Sequence, residues 1–311
     1  MGLELYLDLL SQPCRAIYIF AKKNRIPFEL RTVDLRKGQH LSDTFAHVNP
    51  LQKVPVLKDG DFILTESVAI LLYLARQYKV PDHWYPRDLQ ACARVDEYLA
   101  WQHTALRRNC LRALWHKVML PVFLGEPVSP EMLATTLAEL DMALQVLEGK
   151  FLQDKAFLTG PHISLADLVA ITELMHPVGA GCQVFKGRPN LAAWRQRVEA
   201  AVGEVLFQEA HEVILKAKDS QPADPTLKQK MLPKVLAMIQ REAKISRERK
   251  EGWSGRLPEV VTWSSLVAEV HRPTPASTLG RGPPRWLRHR LLLLCLCSPG
   301  TLKFLLFQPP L

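Results

Sequence analysis

Residues 53–67 read KVPVLKDGDFILTES, and this stretch determines the fold expected for the first part of the chain. Two short apolar runs, VPVL and FIL, flank DG at residues 59–60, a dipeptide that strongly favours a two-residue hairpin turn. The polar TES at residues 65–67 then stands where an apolar helical pattern begins. The stretch predicts strand, turn, strand and helix, in that order.

The sequence before this hairpin predicts a strand, a helix and a second strand. Residues 3–7, LELYL, alternate as a strand with one buried face does. The turn SQPCR at residues 11–15 leads into an apolar helical stretch that ends near Asn24, and residues 27–33 form a second extended run. The order βαβ, connecting segment, ββα predicts a small α/β sandwich with a mixed sheet.

After a linker with two prolines at residues 79–87, the pattern becomes helical throughout. We expect one long helix over residues 88–119, a second with an apolar stripe, and a third that begins at Ser164. The stripe consists of Leu133, Leu137, Leu140, Leu144, Leu147 and Phe151. Further amphipathic segments lie near residues 190–201, 204–218 and 226–240.

Residues 241–311 differ from the rest of the chain. They hold 12 Lys and Arg against 5 Asp and Glu, a net charge of +7 out of +9 for the whole chain. Eight prolines follow Gly252 without a sustained apolar period, so we predict a largely disordered, basic, proline-rich tail. The predicted domains before it are an α/β domain at 1–78 and an all-helical domain at 88–240. That body is nearly neutral, so charge gives no support for a nucleic-acid partner.

The composition also excludes several other classes of protein. No run reaches the roughly 18 apolar residues of a membrane-spanning helix, and the N-terminus lacks the layout of a signal peptide. The cysteines show neither a disulfide framework nor a zinc-site spacing. They are Cys14, Cys92, Cys110, Cys182, Cys295 and Cys297. We expect a cytoplasmic protein with reduced thiols, no integral membrane segment and no metal site.

The turn at residues 11–15 is the first candidate for chemistry. Ser11 and Cys14 have the spacing of a C-x-x-C redox motif in which serine replaces the first sulfur. The start of a helix favours an anion such as a thiolate, and Ser11 can donate its O–H to another molecule's sulfur. Two alternatives stay open: Ser11 only caps the helix, or Cys14 is itself reactive, although its inward position favours a small core residue.

Two further candidates lie in the opening stretch. If the bond between Val54 and Pro55 is cis, the backbone of Val54 faces outward and can pair with a peptide; the alternative is an ordinary edge-strand proline. Glu66 and Ser67 begin a helix and suit a ligand with a carboxylate and an ammonium; the alternative is a helix cap. Together these candidate residues predict a binding site for a short thiol peptide with an α-amino acid end.

These motifs identify a family resemblance. Residues 1–240 resemble the cytosolic glutathione transferases, and the theta class in particular, over about three quarters of the chain. The resemblance rests on Ser11, KVP at 53–55, TES at 65–67 and SLAD at 164–167, in that order. It implies a thioredoxin-like βαβ-ββα domain followed by an all-helical transferase domain. The 71 residues after position 240 resemble nothing in that family.

The resemblance also implies roles for individual residues. Ser11 would stabilise the glutathione thiolate, and Arg107 would lie near the sulfur. Glutathione would be bound by His40, Lys53, Val54, Glu66, Ser67, Thr104 and Arg107. Thr104 and Arg107 lie three apart on the predicted long helix and so would share a face, with Thr104 reaching across a dimer interface. For Arg107 the alternative is a solvated surface charge. Ser164 and Asp167 match a capping box, a folding device rather than a catalytic site.

The implied activity is that of a homodimeric glutathione S-transferase in detoxification, which joins the glutathione thiolate to haloalkanes and epoxides. Peroxidase activity is a second implied capacity. Glutathione is a co-substrate, and no cofactor is expected. In the family, the segment near Lys234 helps to cover the electrophile pocket. Two alternatives remain: a glutathione-binding or scaffolding protein with little turnover, and a thiol transferase that depends on Cys14.

Overall fold

The computed structural model describes residues 2–219, together with Gln229, Leu232 and Pro233. The segment predicted near residues 226–240 lies mostly outside the described residues, and the predicted tail at 241–311 lies wholly outside them. Among the described residues, no helix is both long and apolar enough to cross a membrane.

Residues 2–77 form the predicted α/β sandwich. Its elements are β1 (Leu3–Leu7), α1 (Gln12–Lys23), β2 (Glu29–Thr32), α2 (Asp43–Val48), β3 (Val56–Asp59), β4 (Phe62–Leu64) and α3 (Ser67–Gln77). The strand order is β2-β1-β3-β4. Strands β1 and β2 are parallel, whereas β3 is antiparallel to both β1 and β4. The mixed sheet and the βαβ-ββα order are therefore confirmed.

The connecting segment before β3 is more ordered than the sequence predicts. It contains a 3-10 turn, Gln39–Leu41, and the helix α2. The hydroxyl of Ser42 caps α2 by accepting the amide of Phe45 at 3.2 Å. Phe45 is buried against Val33 and Val56. A six-residue helix spans fewer than two turns, which is too short to produce a periodic apolar pattern.

The predicted single helix over residues 88–119 is wrong, because it is interrupted at Ala105. The structure has α4 (Leu89–Thr104), α5 (Leu106–Leu114), a π-helical turn at Trp115–Met119, and α6 (Leu120–Leu124). Ala105 has φ −101° and ψ −77°, outside the usual helical values. After the break, Leu106 and Cys110 are fully buried in the core. Packing of α5 thus overrides the continuous helical pattern of the sequence.

The remaining helices pack around one central helix. They are α7 (Pro130–Val146, extended by a π-helical turn at Leu147–Leu152), α8 (Leu165–Gly179), α9 (Pro189–Val202) and α10 (Glu204–Leu215). Every residue of α8 except Val178 is buried. A side chain at Gly179 would place its Cβ 2.2 Å from the carbonyl oxygen of Ile214, so α8 and α10 approach too closely for any other residue there.

Helix α8 begins with the predicted capping box. The hydroxyl of Ser164 accepts the amide of Ala166, and the amide of Ser164 donates to Oδ2 of Asp167 at 2.9 Å. The other oxygen of Asp167 accepts the amide of Leu158 and the indole N–H of Trp194, each at 2.8 Å. The fully buried carboxylate therefore joins α8 to the preceding loop and to α9.

We predict that Asp167→Asn lowers the free energy of unfolding by about 3 kcal/mol, because the amide presents a donor to buried N–H groups that need an acceptor. Urea unfolding followed by circular dichroism measures the change. Asp61→Asn, which alters an exposed acid, serves as the control and should have little effect. An unfolding midpoint equal to that of the unaltered chain would contradict this role of Asp167.

Candidate active site

Ser11 occupies the N-cap position of α1, but its side chain makes no capping hydrogen bond. Its backbone carbonyl accepts the amide of Arg15, while the hydroxyl of this half-buried residue interacts with Cys14. The alternative that Ser11 serves only as a cap is therefore wrong. The hydroxyl lies at the N-terminus of a twelve-residue helix, where unpaired amides and the helix dipole favour negative charge.

Cys14 is a core residue, as its position in the sequence favours. Its side chain has no exposed surface, and burial raises the pKa of the thiol to about 12, although a hydrogen bond with Ser11 opposes the increase. A reactive cysteine needs the opposite, a lowered pKa and access to solvent. The alternative in which Cys14 is the reactive group is therefore wrong.

The loop that carries Ser11 is fixed by Arg15, a buried cation that sequence reasoning missed. Nη1 of Arg15 donates to the carbonyls of Leu9 at 2.9 Å and Leu10 at 3.0 Å. Nη2 donates to the carbonyl of Thr172 at 2.8 Å and to Nδ1 of His176 at 2.7 Å. Arg15 thus ties this loop to α8. An arginine inside the apolar pattern of α1 is the available sequence signal.

Burial shapes the protonation of this cluster. It lowers the pKa of Arg15 to about 9, which still leaves the guanidinium charged at neutral pH. Burial, followed by the charge of Arg15, holds the pKa of His176 well below its usual value. His176 is therefore neutral and can accept the hydrogen bond from Arg15.

The bond between Val54 and Pro55 is cis, and Pro55 directly precedes β3. Strand β3 lies inside the sheet, so the alternative of an edge-strand proline is wrong. The buried side chain of Asn49 donates to the carbonyl of Lys53 at 2.7 Å and so holds this segment. Val54 is half-buried, which leaves part of it accessible.

Glu66 and Ser67 stand at the start of α3, as predicted. Glu66 is exposed, has φ 67° and ψ 111°, and makes no capping hydrogen bond, so the alternative of a helix cap is wrong for it. Ser67 is the first residue of the helix and is 5% exposed. A positive φ at a residue other than glycine is strained and persists only where the surroundings hold it.

A cavity of about 310 Å³ opens beside Ser67. Its lining residues are Glu66, Ser67, Val68, Asp96, Leu99, Ala100, His103 and Arg107. Three predicted residues therefore meet there, together with Asp96 and His103, which the sequence analysis missed. His103 could have been found because it lies one helical turn before Arg107.

The other predicted residues do not line this cavity. His40 lies in the 3-10 turn at Gln39–Leu41, and Lys53 is exposed. Thr104 is exposed at the last position of α4. The prediction that Thr104 shares a helix face with Arg107 is wrong, because the break at Ala105 separates them.

Arg107 connects three helices. Its Nε donates to Oε1 of Glu173 on α8 at 2.6 Å, and its Nη1 donates to Nδ1 of His103 at 3.3 Å. Nη2 donates to the hydroxyl of Ser67 at 3.4 Å. The Arg107 side chain is only 15% exposed, so the alternative of a solvated surface charge is wrong. These contacts direct the guanidinium to Ser67; its described hydrogen bonds include none to Ser11.

Glu173 is a second buried charge that the sequence analysis missed. Its side chain is fully buried, and burial raises the pKa of the carboxyl, while Arg107, Gln12 and Arg15 oppose that increase. A charged residue within the otherwise apolar run of α8 is the signal that could have identified it. Within residues 2–219, no three His, Cys, Asp or Glu side chains are grouped closely enough to hold a metal ion.

The candidate site therefore offers a hydroxyl at a helix N-terminus, the half-buried Val54 just before β3, and a cavity with charges of both signs. Two family models match this chain: the glutathione S-transferase N-terminal domain over residues 5–76, and the C-terminal domain over residues 111–201. The chain belongs to the glutathione S-transferase family. It is an enzyme of that family.

The relatives point to the theta class within this family. The chain is 97% identical over 240 residues to glutathione S-transferase theta-1 of Bos taurus. This match covers 77% of this chain and all of that protein. It is similar to the structure of human glutathione-S-transferase T1-1, apo form, with TM-score 0.75 and 85% identity, over 76% of this chain and all of the other. The chain is also similar to a human theta-class transferase in complex with the glutathione conjugate of 1-menaphthyl sulfate, with TM-score 0.71 and 55% identity. The match covers 76% of this chain and 99% of that chain.

We predict that a small alkylating reagent at neutral pH modifies Cys92 in the native protein and leaves Cys14 unmodified. Cys92 is partly exposed, whereas the Cys14 thiol is buried and protonated. Mass spectrometry of peptides from native and urea-unfolded samples measures the difference, and both thiols should react after unfolding. Equal rates at the two cysteines in the native protein would contradict the assignment of Cys14 to the core.

Proposed function

We propose that this glutathione transferase activates glutathione through Ser11, whose hydroxyl holds the sulfur as a thiolate. The observation that carries the proposal is that this hydroxyl stands at the N-terminus of α1 without capping it. A donor in that position stabilises an anion more than the neutral thiol. The fixation of the loop by Arg15 supports the proposal, since a rigid donor loses little freedom when the ligand binds.

The rest of glutathione would extend from Ser11 toward α3. We propose that the Val54 backbone pairs with the cysteinyl part, because Val54 precedes β3 and lies outside the ladder of that strand. Glu66 would bind the ammonium of the γ-glutamyl end, and Ser67 with Arg107 would bind its carboxylate. The glycine carboxylate would be bound by His40 and Lys53. This orientation places the acid Glu66 at the ammonium and the bases Arg107 and Lys53 at the two carboxylates, so each end of the ligand meets a residue of opposite charge.

The proposed chemistry is nucleophilic substitution or addition at a small electrophile. With a haloalkane, the thiolate sulfur supplies the electron pair for a new C–S bond, and the halide leaves with the pair of the C–halogen bond. With an epoxide, the same attack breaks a ring C–O bond, and the alkoxide takes a proton from water. The conjugate in the human theta-class structure supports electrophiles with a good leaving group. Reduction of organic hydroperoxides by two molecules of glutathione is proposed as a second activity.

We further propose a homodimer in the cytoplasm, with Thr104 near the subunit interface. Exposed apolar side chains at Phe62, Ile63 and Leu89 support an interface with a second copy. The four cysteines of the described part of the chain are all unpaired, which supports a reducing compartment.

We predict that Ser11→Ala lowers turnover at neutral pH about 100-fold, equivalent to a rise of ~2 units, or about 2.7 kcal/mol, in the pKa of the bound thiol. Without the donor the anion is less stable, so the thiol pKa rises and activity should recover as the pH is raised. Ultraviolet absorbance of the thiolate in the complex, together with the pH–rate profile, measures the shift.

The control for this experiment is Ser129→Ala, which removes a serine that does cap a helix. It should lower the melting temperature and leave the thiol pKa unchanged. Unaltered turnover and thiolate absorbance in the Ser11→Ala variant would exclude the proposed role of Ser11.

We predict that a version ending at Gln240 turns over a small haloalkane and an organic hydroperoxide severalfold faster than the full chain. The extra residues follow directly on the length shared with the theta-1 relative, next to the segment that covers the electrophile pocket in the resembling family. Steady-state kinetics and light scattering compare the two versions, and both should have the mass of a dimer. Identical kinetics would show that the extension does not affect catalysis.

A further inference from the structure

Arg107 reaches the proposed glutamyl pocket from a position that is fixed inside the protein. Its strongest described contact is not with a pocket residue: Nε lies 2.6 Å from Oε1 of Glu173, whereas its contacts with His103 and Ser67 measure 3.3 and 3.4 Å. The shortest bond, between two charged groups, orients the guanidinium plane. The two longer bonds then point into the cavity.

We propose that Glu173 is a positioning residue for glutathione binding: from the interior of α8 it holds Arg107 against Ser67, so that both can receive the γ-glutamyl carboxylate. This inference rests on the proposed glutathione site and extends it to a residue outside the cavity. Glu173 does not line the cavity, and its side chain has no exposed surface. It therefore acts on the ligand through Arg107.

Burial makes Glu173 depend on this contact. A carboxylate without exposed surface loses its hydration and must obtain its stabilisation from protein partners. Several groups face Glu173: Arg107 from α5, and Gln12 and Arg15 from α1. Its charge also acts on Tyr98 of α4 and Cys110 of α5, whose pKa values are raised chiefly by burial. The two cations offset the burial of one carboxylate, and only Arg107 also reaches the cavity.

Neighbouring residues of α8 thereby hold both ends of the proposed site. The carbonyl of Thr172 accepts Arg15, which in turn holds the loop before Ser11. The carboxylate of Glu173 accepts Arg107, which holds Ser67. The Arg15 contacts fix the part of the site proposed to bind the glutathione sulfur, and the Glu173 contact fixes the part proposed to bind the γ-glutamyl carboxylate. Loss of the Glu173 charge should therefore weaken glutathione binding far more than it slows the chemical step.

The test is Glu173→Gln in the full-length protein, with steady-state kinetics for glutathione at a saturating haloalkane. The amide keeps the shape of the side chain but removes the charge that orients Arg107. We expect KM for glutathione to rise about tenfold, or ~1.4 kcal/mol, while kcat changes less than about twofold. In an Arg107→Ala background the same substitution should raise KM less than about twofold, because no guanidinium remains to position.

The control for a merely structural effect is Asp167→Asn, which alters another buried acid on the same helix. It should reduce stability and leave KM for glutathione unchanged. If Glu173→Gln does not yield folded protein, Glu173→Asp replaces it. That variant keeps the charge but retracts the carboxylate by one methylene, and a threefold rise in KM, or about 0.6 kcal/mol, is expected.

An unchanged KM in either Glu173 variant, or an equal rise with and without Arg107, would overturn the inference. These outcomes differ from failure of the proposed glutathione site. That failure would appear with Glu173 intact, as thiolate absorbance that does not respond to Ser11→Ala. The inference alone fails if Ser11 behaves as proposed and KM does not respond to Glu173.

Discussion

The site depends on the burial of one guanidinium. Arg15 has no exposed surface, so Nη1 and Nη2 take acceptors within the protein, whereas its Nε is buried without a hydrogen-bond partner. Those acceptors are the carbonyls of Leu9, Leu10 and Thr172 and the ring of His176. Two precede Ser11 and two belong to α8. These four hydrogen bonds fix the loop that carries the proposed catalytic hydroxyl relative to the helical part of the protein.

Helix α8 is the common support of the fold and the site. Its first turn is closed by Asp167, which also bonds the loop before it and Trp194 of α9. Its middle carries Thr172 and Glu173, which hold Arg15 and Arg107. The proposed site takes residues from both the sheet domain and the helical domain and so needs such a support, because a misplacement of about 1 Å can weaken catalysis.

Local sequence signals predict the sheet domain well. The DG dipeptide, the alternation in β1 and the polar start of α3 each predict a neighbouring element, and the structure has all three elements. The two-residue turn itself lies one position later than predicted, at Gly60–Asp61, because Asp59 pairs with Phe62 as the last residue of β3. The buried charge pairs are harder to predict, since Arg15 and Thr172 are 157 positions apart and Arg107 and Glu173 are 66 apart. Periodicity describes which face of a helix is buried, but it does not identify which polar residue on another element satisfies a buried charge.

The interruption of the predicted long helix at Ala105 shows a different limit. Helical propensity favours continuation through this residue, whereas the packing of Leu106 and Cys110 favours the break. Tertiary contacts decide the outcome, and they also separate Thr104 from the cavity. Residues at the start of α3 are easier to assign to a site, because the polar residues that begin a helix are adjacent in the sequence.

The contact at Gly179 limits how this sequence can diverge. Because a methyl group there would collide with the main chain at Ile214, no replacement is tolerated unless α10 first moves away from α8. The distance between α8 and α10 is therefore possible only because Gly179 has no Cβ atom. Position 179 is therefore constrained to remain glycine as the sequence changes over evolutionary time.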